Sequence, residues 1–125
     1  MTAIKESLNL GDLLKYEAPQ LYSREIVTVQ AGEVLPLGAV LGQVTASTKV
    51  KALDPSATDG SAVAAGVLIE ACEGLTGDRP DGLIAARHAI LADHALVWPV
   101  GITVSQKQTA IQQLKALGLL VRHGA

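Results

Sequence analysis

The chain has 125 residues and a formal net charge of −2, with a sequence pI near 5.8. This length suits one domain with a usable core, and the charge balance gives no sign of a nucleic-acid or anionic-membrane partner. Hydrophobic residues make up 49% of the chain but aromatic residues only 2%, and phenylalanine is absent. We therefore expect an aliphatic core, with some of the apolar surface at a subunit interface.

Charge is unevenly distributed along the chain. The stretch Asp54–Asp93 contains seven acids and only two basic residues, Arg79 and Arg87. After Asp93 there are no acids, and the basic residues are Lys107, Lys115 and Arg122. Two interpretations stay open: a charge asymmetry that orients the chain on a charged partner, or two ordinary solvated faces.

Cysteine usage and the N-terminal sequence bear on the cellular compartment. The single cysteine, Cys72, cannot form an intrachain disulfide or complete a metal knuckle, which fits a reducing compartment. The N-terminal sequence lacks the apolar core of a signal peptide, and uncharged runs such as Gly60–Ile69 are much shorter than a membrane span. We expect synthesis and folding in a cytoplasm.

The first 22 residues differ from the rest of the chain. They mix charges and scattered leucines with both tyrosines, Tyr16 and Tyr22, and they show neither a helical nor an alternating period. Pro19 would end any helix that begins near Leu13. We predict an extended arm over residues 1–22 that is loose in the free protein, followed by a single domain over residues 23–125.

A bent ribbon of short strands is predicted next. Gly32, Gly38 and Gly42 indicate turns or bulges, and Pro36 cannot lie in the middle of a sheet. The β-branched segments between them are Ile26–Val29, Val34-Leu35, Val40-Leu41 and Val44-Thr45.

A turn-rich segment then leads into a core strand. Asp54-Pro55 and Asp59-Gly60 are typical of turns. The run "AVAAGVLIEA" after them is apolar over the length of a strand, which favours a strand buried on both faces. Gly66 inside this run indicates close backbone approach or a bulge.

The C-terminal third contains one ambiguous segment and one clear helix. "EGLTGDRPDG" is predicted as a surface loop, and the alanines of "LIAARHAILADHAL" favour a helix. Ser105 followed by Gln108 matches a capping box. This helix is predicted to end at the cap Gly118, before a short strand "LLVR". Its apolar face comprises Ala110, Ile111, Leu114 and Leu117.

Few residues match a catalytic or metal-binding pattern. His88 and His94 are six residues apart, unlike the four-residue spacing of zinc ligands on a helix. Gly60-Ser61 belongs to a turn and not to a nucleophile elbow, and Cys72 follows an apolar strand as a small buried residue would. We expect no catalysis, no cofactor and no metal.

One alternative function is a lipoyl or biotinyl carrier domain. "VQAGEVLPLGAVLGQVTASTKVKAL" has the glycine-spaced rhythm of such a domain, with Lys49 as the modified lysine. Lys49 lacks the usual Met-Lys-Met or Asp-Lys-Ala context, and a carrier needs neither the arm nor the C-terminal helix. An unrecognised small enzyme is a further alternative.

Four segments in order resemble the lambda-type bacteriophage head decoration proteins, a family of capsid-stabilising "cement" proteins. They are "SREIVTVQAGEVLPLGAVLGQVT", "DPSATDGSAVAAGVL", "ALVWPVGIT" and "AIQQLKALGLLVR". The resemblance covers about Ser23–Arg122, and "LLKYEAP" in the arm fits more weakly. These segments are scaffold motifs, so they carry no catalytic residues.

The resemblance implies a mainly β (α+β) domain of the β-clip type, with a C-terminal helix and an extended arm. It implies a homotrimer at threefold positions on the outer surface of the virion capsid, made in the bacterial host cytoplasm. Its partner would be the major capsid protein, with no nucleic acid or membrane bound. The family pattern also places a strand over Leu83–Ala89. The expected capsid-binding residues in the arm are Leu13, Leu14, Tyr16, Glu17, Pro19 and Tyr22.

Overall fold

A computed structural model describes residues 9–123, and within this range the chain is mainly β. Two α-helices are described, α1 (Leu10–Leu13) and α2 (Val104–Ala116). Short 3₁₀ turns occupy Pro19–Leu21 and Asp93–Ala95. The strands are β1 (Leu14–Glu17), β2 (Arg24–Val29), β3 (Val34–Leu35), β4 (Val40–Gln43), β5 (Val50–Ala52), β6 (Ala64–Leu68), β7 (Cys72–Glu73), β8 (Arg79–Ala85), β9 (Ala89–Ala92) and β10 (Leu119–Arg122).

Five strands close into a small barrel in the order β2-β5-β4-β6-β8. Closure leaves these strands without free edges. The apolar run predicted as a core strand is confirmed: β6 pairs with β4 on one side and β8 on the other, and four of its five residues are buried. The barrel interior is aliphatic, with Val29, Leu41 and Leu68 fully buried.

A second sheet has the order β1-β9-β10 and brings the two ends of the described chain together. Strand β9 is central, antiparallel to β1 and parallel to β10. Helix α2 covers the inner face of this sheet, where Leu114 joins Leu91 and Leu119 in one buried cluster. This cluster also contains residues of the barrel strands, so both sheets share a core.

The predicted loop after the core strand is shorter than expected. Strand β7 pairs with β3 in a two-stranded sheet, and β8 already begins at Arg79. Pro80 is tolerated in β8 because it lies opposite a register shift between Val27 and Val29, where no regular ladder is formed. The residues that indicated a loop in the sequence form a turn and then the bulged strand β8.

The strand predicted over Leu83–Ala89 is confirmed in part, and 83–96 does not form a continuous helix. Strand β8 ends at Ala85 and β9 begins at Ala89, with a turn between them. His88 adopts a left-handed φ of 48° in this turn. The two halves of this segment pair with strands of two different sheets, and this pairing outweighs the helical propensity of the alanines.

The C-terminal helix and the strand after it are confirmed, with the N-cap two residues earlier than predicted. The Thr103 hydroxyl accepts from Gln106 N–H at 3.1 Å, and the Gln106 side chain accepts from Thr103 N–H at 2.9 Å. Ser105-x-x-Gln108 has the same spacing, so the sequence pattern alone does not distinguish the two pairs. Gly118 ends the helix with a φ of 84°, as predicted.

Residues 9–22 of the predicted arm are folded onto the domain and are not extended away from it, and residues 1–8 of that arm lie outside the described residues. Asn9 and Asp12 form a reciprocal capping box at α1. Leu13 at the end of α1 is fully buried in the shared core, and β1 pairs with β9. A four-residue helix followed by a four-residue strand is too short to give a recognisable period.

Gly42 lets strand β4 pass close to the backbone of Ser61. A Cβ atom at position 42 would lie 2.2 Å from the Ser61 carbonyl oxygen. We expect Gly42→Ala to lower the free energy of unfolding by about 1–3 kcal/mol, because the backbone must move to admit the methyl group. Gly77→Ala is the matched control, since a Cβ there meets nothing within 4 Å. Equal denaturation midpoints for the two variants in urea would contradict this assignment.

Candidate functional site

The predicted capsid-binding residues differ sharply in exposure. We define the arm segment as residues 9–22. Tyr16 and Tyr22 are 52% and 53% exposed, and Pro19 is also exposed. Leu14 and Glu17 are half-buried. Leu13 is fully buried in the core, so it is unavailable to a partner while the domain is folded.

An ion pair ties the arm segment to the barrel. Arg24 on β2 donates from Nε and Nη2 to the two carboxylate oxygens of Glu17 on β1, each at 2.8 Å. The hydrogen bond from Arg24 holds the pKa of the Glu17 carboxyl below its ordinary value. A bidentate pair of this kind fixes orientation as well as charge. Glu17 therefore has a structural role and is not free to bind a partner.

Ser23 is a buried polar residue at the end of the arm segment. Its hydroxyl accepts from Ala18 N–H at 2.8 Å and donates to the His88 carbonyl oxygen at 2.7 Å. Its own carbonyl accepts from Ala86 N–H at 2.7 Å. Ser23 thus satisfies backbone groups from two separate turns, and it holds the arm segment against the β8–β9 turn.

Tyr22 is held in place on the surface by residues of the β8–β9 turn. The Arg87 guanidinium lies 5.3 Å from the centre of the Tyr22 ring, and its Nη1 donates to the Tyr22 carbonyl oxygen at 2.7 Å. The Tyr22 and His88 rings are 5.2 Å apart and tilted by 46°. Arg87 also donates to Glu25 at 2.8 Å. The aromatic ring is therefore partly ordered before any partner binds.

Three further residues, Leu21, Arg87 and His88, lie at the surface around Tyr22. The sequence analysis did not predict them as part of the site. Leu21 is 62% exposed and has a left-handed φ of 61°. A positive φ is uncommon for any residue other than glycine and most of all for a bulky one such as leucine, so the sequence pattern did not indicate this conformation. Arg87 and His88 lie more than 60 residues from Tyr22, and only the β2–β8 pairing brings them together.

The candidate metal, thiol and lysine residues all lie within the described part of the chain. Residues 9–123 contain no group of three His, Cys, Asp or Glu side chains that could hold a metal ion. Burial raises the pKa of the Cys72 thiol, which disfavours the thiolate form that attacks substrates or binds metals. Lys49, which would be the modified lysine of a carrier domain, forms a 2.6 Å ion pair with Asp78. Over the same range, no helix is long and apolar enough to cross a membrane.

One depression of about 410 Å³ lies between the β5 region and the loop before α2. It places Ser56 beside Asp54, with the hydroxyl donating to the carboxylate at 2.9 Å, but no histidine lines it. The Glu33 carboxylate there accepts from Ala52 N–H at 2.8 Å and is used for structure. This arrangement lacks the base that would activate a serine nucleophile.

These features define a small β-rich protein with exposed tyrosine side chains on its arm segment. The family model described as "Bacteriophage lambda head decoration protein D" matches residues 3–119 of the 125-residue chain. The chain therefore belongs to the bacteriophage lambda head decoration protein D family, as the four sequence segments indicated. A comparison with curated proteins found no match. Membership makes the chain a structural component of a phage head.

We predict that Ser23→Ala weakens the attachment of the arm segment. The change leaves Ala18 N–H and the His88 carbonyl without their buried partner, so the free energy of unfolding should fall by about 1–3 kcal/mol. Ser47→Ala is the control, because Ser47 is exposed and its hydroxyl accepts only a 3.3 Å hydrogen bond from Lys49 N–H, which water can replace; its effect should stay within about 0.5 kcal/mol. Similar chemical denaturation curves for the two variants would show that Ser23 has no anchoring role.

The Glu17–Arg24 pair should make stability depend on pH in the acidic range. The folded pKa of Glu17 lies below its ordinary value of 4.5. Its contribution is therefore fully present above about pH 4.5 and is lost as the pH falls through the folded pKa. We expect Glu17→Gln to lower the free energy of unfolding by about 1 kcal/mol at neutral pH, and by less at lower pH.

Urea denaturation between pH 7 and pH 3 measures this difference directly. Glu70→Gln is a suitable control, because Glu70 is exposed and forms no salt bridge within residues 9–123. A wild-type to Glu17→Gln difference that is constant across this range, or that grows on acidification, would disagree with the assigned direction.

Proposed function

We propose that the chain binds the outside of an icosahedral phage head as a homotrimer at threefold positions and stabilises the shell. The partner is the major capsid protein, and binding requires no catalysis. The observation that carries this proposal is the family match over residues 3–119, which includes the arm segment and most of the domain. Membership supports a capsid role, and the trimer, the threefold position and the outer surface are inferences from it.

The arm segment supplies the features that a capsid contact needs. Tyr16, Leu21 and Tyr22 are each more than half exposed, and aromatic side chains are common anchors at interfaces. Strand β1 lies at the edge of its sheet, so one side of its backbone is available for strand addition by the shell protein. We propose that these exposed positions, with Leu14 and Pro19 beside them, form the contact.

A trimer makes weak contacts of this kind sufficient. Once one copy of the contact binds at a threefold site, the others bind at a high effective concentration. Ordering a free segment costs about 1–2 kcal/mol per residue for the backbone alone. Because residues 9–22 are already packed on the domain, most of that cost is met on folding and not on docking.

Surface substitutions test the contact better than deletion of the whole arm. Removal of residues 1–22 would take Leu13 out of the core and β1 out of its sheet, so loss of binding would follow from misfolding alone. Tyr16→Ala combined with Tyr22→Ala changes two exposed side chains and leaves the core intact. A second variant that lacks only residues 2–8 tests the remaining part of the predicted arm.

We expect the double tyrosine variant to bind undecorated heads at least about tenfold more weakly in a co-sedimentation assay, since exposed aromatic anchors carry much of a contact's free energy. Val34→Ala combined with Leu75→Ala is the matched control, with 57% and 62% exposed side chains in another part of the fold. Unchanged binding by the tyrosine variant would place the contact elsewhere. Imaging of decorated heads shows directly whether three copies surround a threefold axis, and monomers there would refute the trimer.

A further inference from the structure

The start of the described chain forms a unit that is held together by its own contacts. We call residues 9–17, which comprise α1 and β1, the terminal unit. Asn9 and Asp12 exchange hydrogen bonds at 2.8 and 3.1 Å, and Lys15 Nζ donates to the Gly11 carbonyl oxygen at 2.9 Å. Because these bonds join residues inside the unit, they are kept when the unit moves as a whole.

The terminal unit is attached to a site that every copy of the chain carries. Leu13 lies in the shared core, β1 pairs with β9, and the Glu17 carboxylate binds Arg24. We call β9, Arg24 and the core beneath them the acceptor site. Since the acceptor site is identical in every copy, the terminal unit of a second copy fits it with the same contacts.

A short connection joins the terminal unit to the fixed part of the domain. Arg87 donates to the Tyr22 carbonyl oxygen at 2.7 Å. The Ser23 hydroxyl donates to the His88 carbonyl oxygen, also at 2.7 Å. Both bonds hold the chain to the β8–β9 turn from residue 22 onward. The path of the backbone can therefore change within residues 18–21 while these bonds stay intact, and we call residues 18–21 the hinge.

The hinge contains a residue in an unfavourable backbone conformation. Leu21 has a left-handed φ of 61°, which a bulky side chain seldom adopts. This conformation belongs to the path that returns the terminal unit to its own domain, and an extended path allows Leu21 a negative φ. Pro19 suits both paths, since its fixed φ occurs in turns and in extended polyproline II chain. Short, strained hinges favour exchange of a terminal element, because exchange relieves the strain and keeps the other contacts.

We propose that the terminal unit exchanges between copies of this chain. In the exchanged form, α1 and β1 of one copy occupy the acceptor site of a second copy, and the hinge runs extended between the two domains. The exchange closes on itself, so every Leu13 is buried and every β9 is paired, as in the single copy. Exchange needs only this chain, and it does not depend on the capsid role.

Mixed single-cysteine variants detect the exchange directly. Tyr16 and Ile90 are paired across β1 and β9, so a disulfide between position 16 of one chain and position 90 of another reports the exchanged form. Both variants carry Cys72→Ala, which removes the native thiol. An equal mixture of Tyr16→Cys and Ile90→Cys is refolded from urea at high protein concentration and oxidised, and intact mass identifies the mixed disulfide.

We expect the yield of this disulfide to be about fivefold or more above that of the matched control. The control mixes Val34→Cys with Ile90→Cys, because Val34 is 57% exposed, close to the 52% of Tyr16, but pairs with β7 and not with β9. A yield equal to that of the control would overturn the proposal, because the terminal unit then stays on its own domain.

Substitution of Leu21 separates exchange from contact between two intact copies. Leu21→Gly, added to both cysteine variants, accepts the left-handed φ without strain, so the yield should fall about threefold or more. Leu21→Ala also shortens the side chain but keeps the Cβ atom, and it should leave the yield close to that of the parent pair. Thr48→Gly is the control outside the hinge, since Thr48 is exposed and has a φ of 62°. Thermal unfolding verifies that each variant is folded.

Every other outcome of these substitutions contradicts the exchange. A high yield that Leu21→Gly does not lower would mean that two intact copies meet through their surfaces. An equal loss in Leu21→Gly and Leu21→Ala would assign the effect to a contact of the leucine side chain. An equal loss in Leu21→Gly and Thr48→Gly would show a general effect of stability. No phage head is present in the assay, so each of these failures leaves the proposed function standing.

Discussion

The pairing of β9 with both β1 and β10 is the constraint on which the rest of the structure depends. Strand β1 comes from the start of the described chain and β10 from its end, so the sheet is complete only when both have paired with β9. Leu13, Leu91 and Leu119 then close the core beneath it. The same pairing places β1 of the arm segment and the C-terminal strand β10 in one sheet.

Small side chains make the two-sheet core possible. Without phenylalanine, the interior is filled by leucine, valine and alanine, and strands approach closely at glycines. A Cβ at Gly66 would lie 2.9 Å from Ile84 Cδ1 and 3.0 Å from the Ala85 carbonyl oxygen. When backbones approach this closely, less interior volume is left to fill, so the core reaches normal packing density without aromatic rings. It also explains why an alanine-rich segment forms strands, since alanine fits between two closely packed layers.

Sequence patterns predicted the parts of the fold that depend on neighbours along the chain. The buried strand β6, the glycine that ends α2 and the short strand β10 each have a local signature of burial, capping or alternation. The arm segment has none, because Leu13 is fixed by contacts with residues more than 70 positions away. The Tyr22–Arg87–His88 cluster was missed for the same reason. Exposed tyrosines could be identified as candidate contacts, but their supporting residues required the β2–β8 register.

A preformed arm segment changes the physical account of how such a protein would stabilise a shell. A loose arm must gain enough contact area to offset its ordering entropy, which demands a large and specific partner surface. A segment already fixed by Ser23, by the Glu17–Arg24 pair and by β9 presents its side chains at little further cost. Small contacts would then suffice if three copies act together, as proposed above. An arm segment packed on the domain, and not a deep pocket, is the feature that this architecture provides.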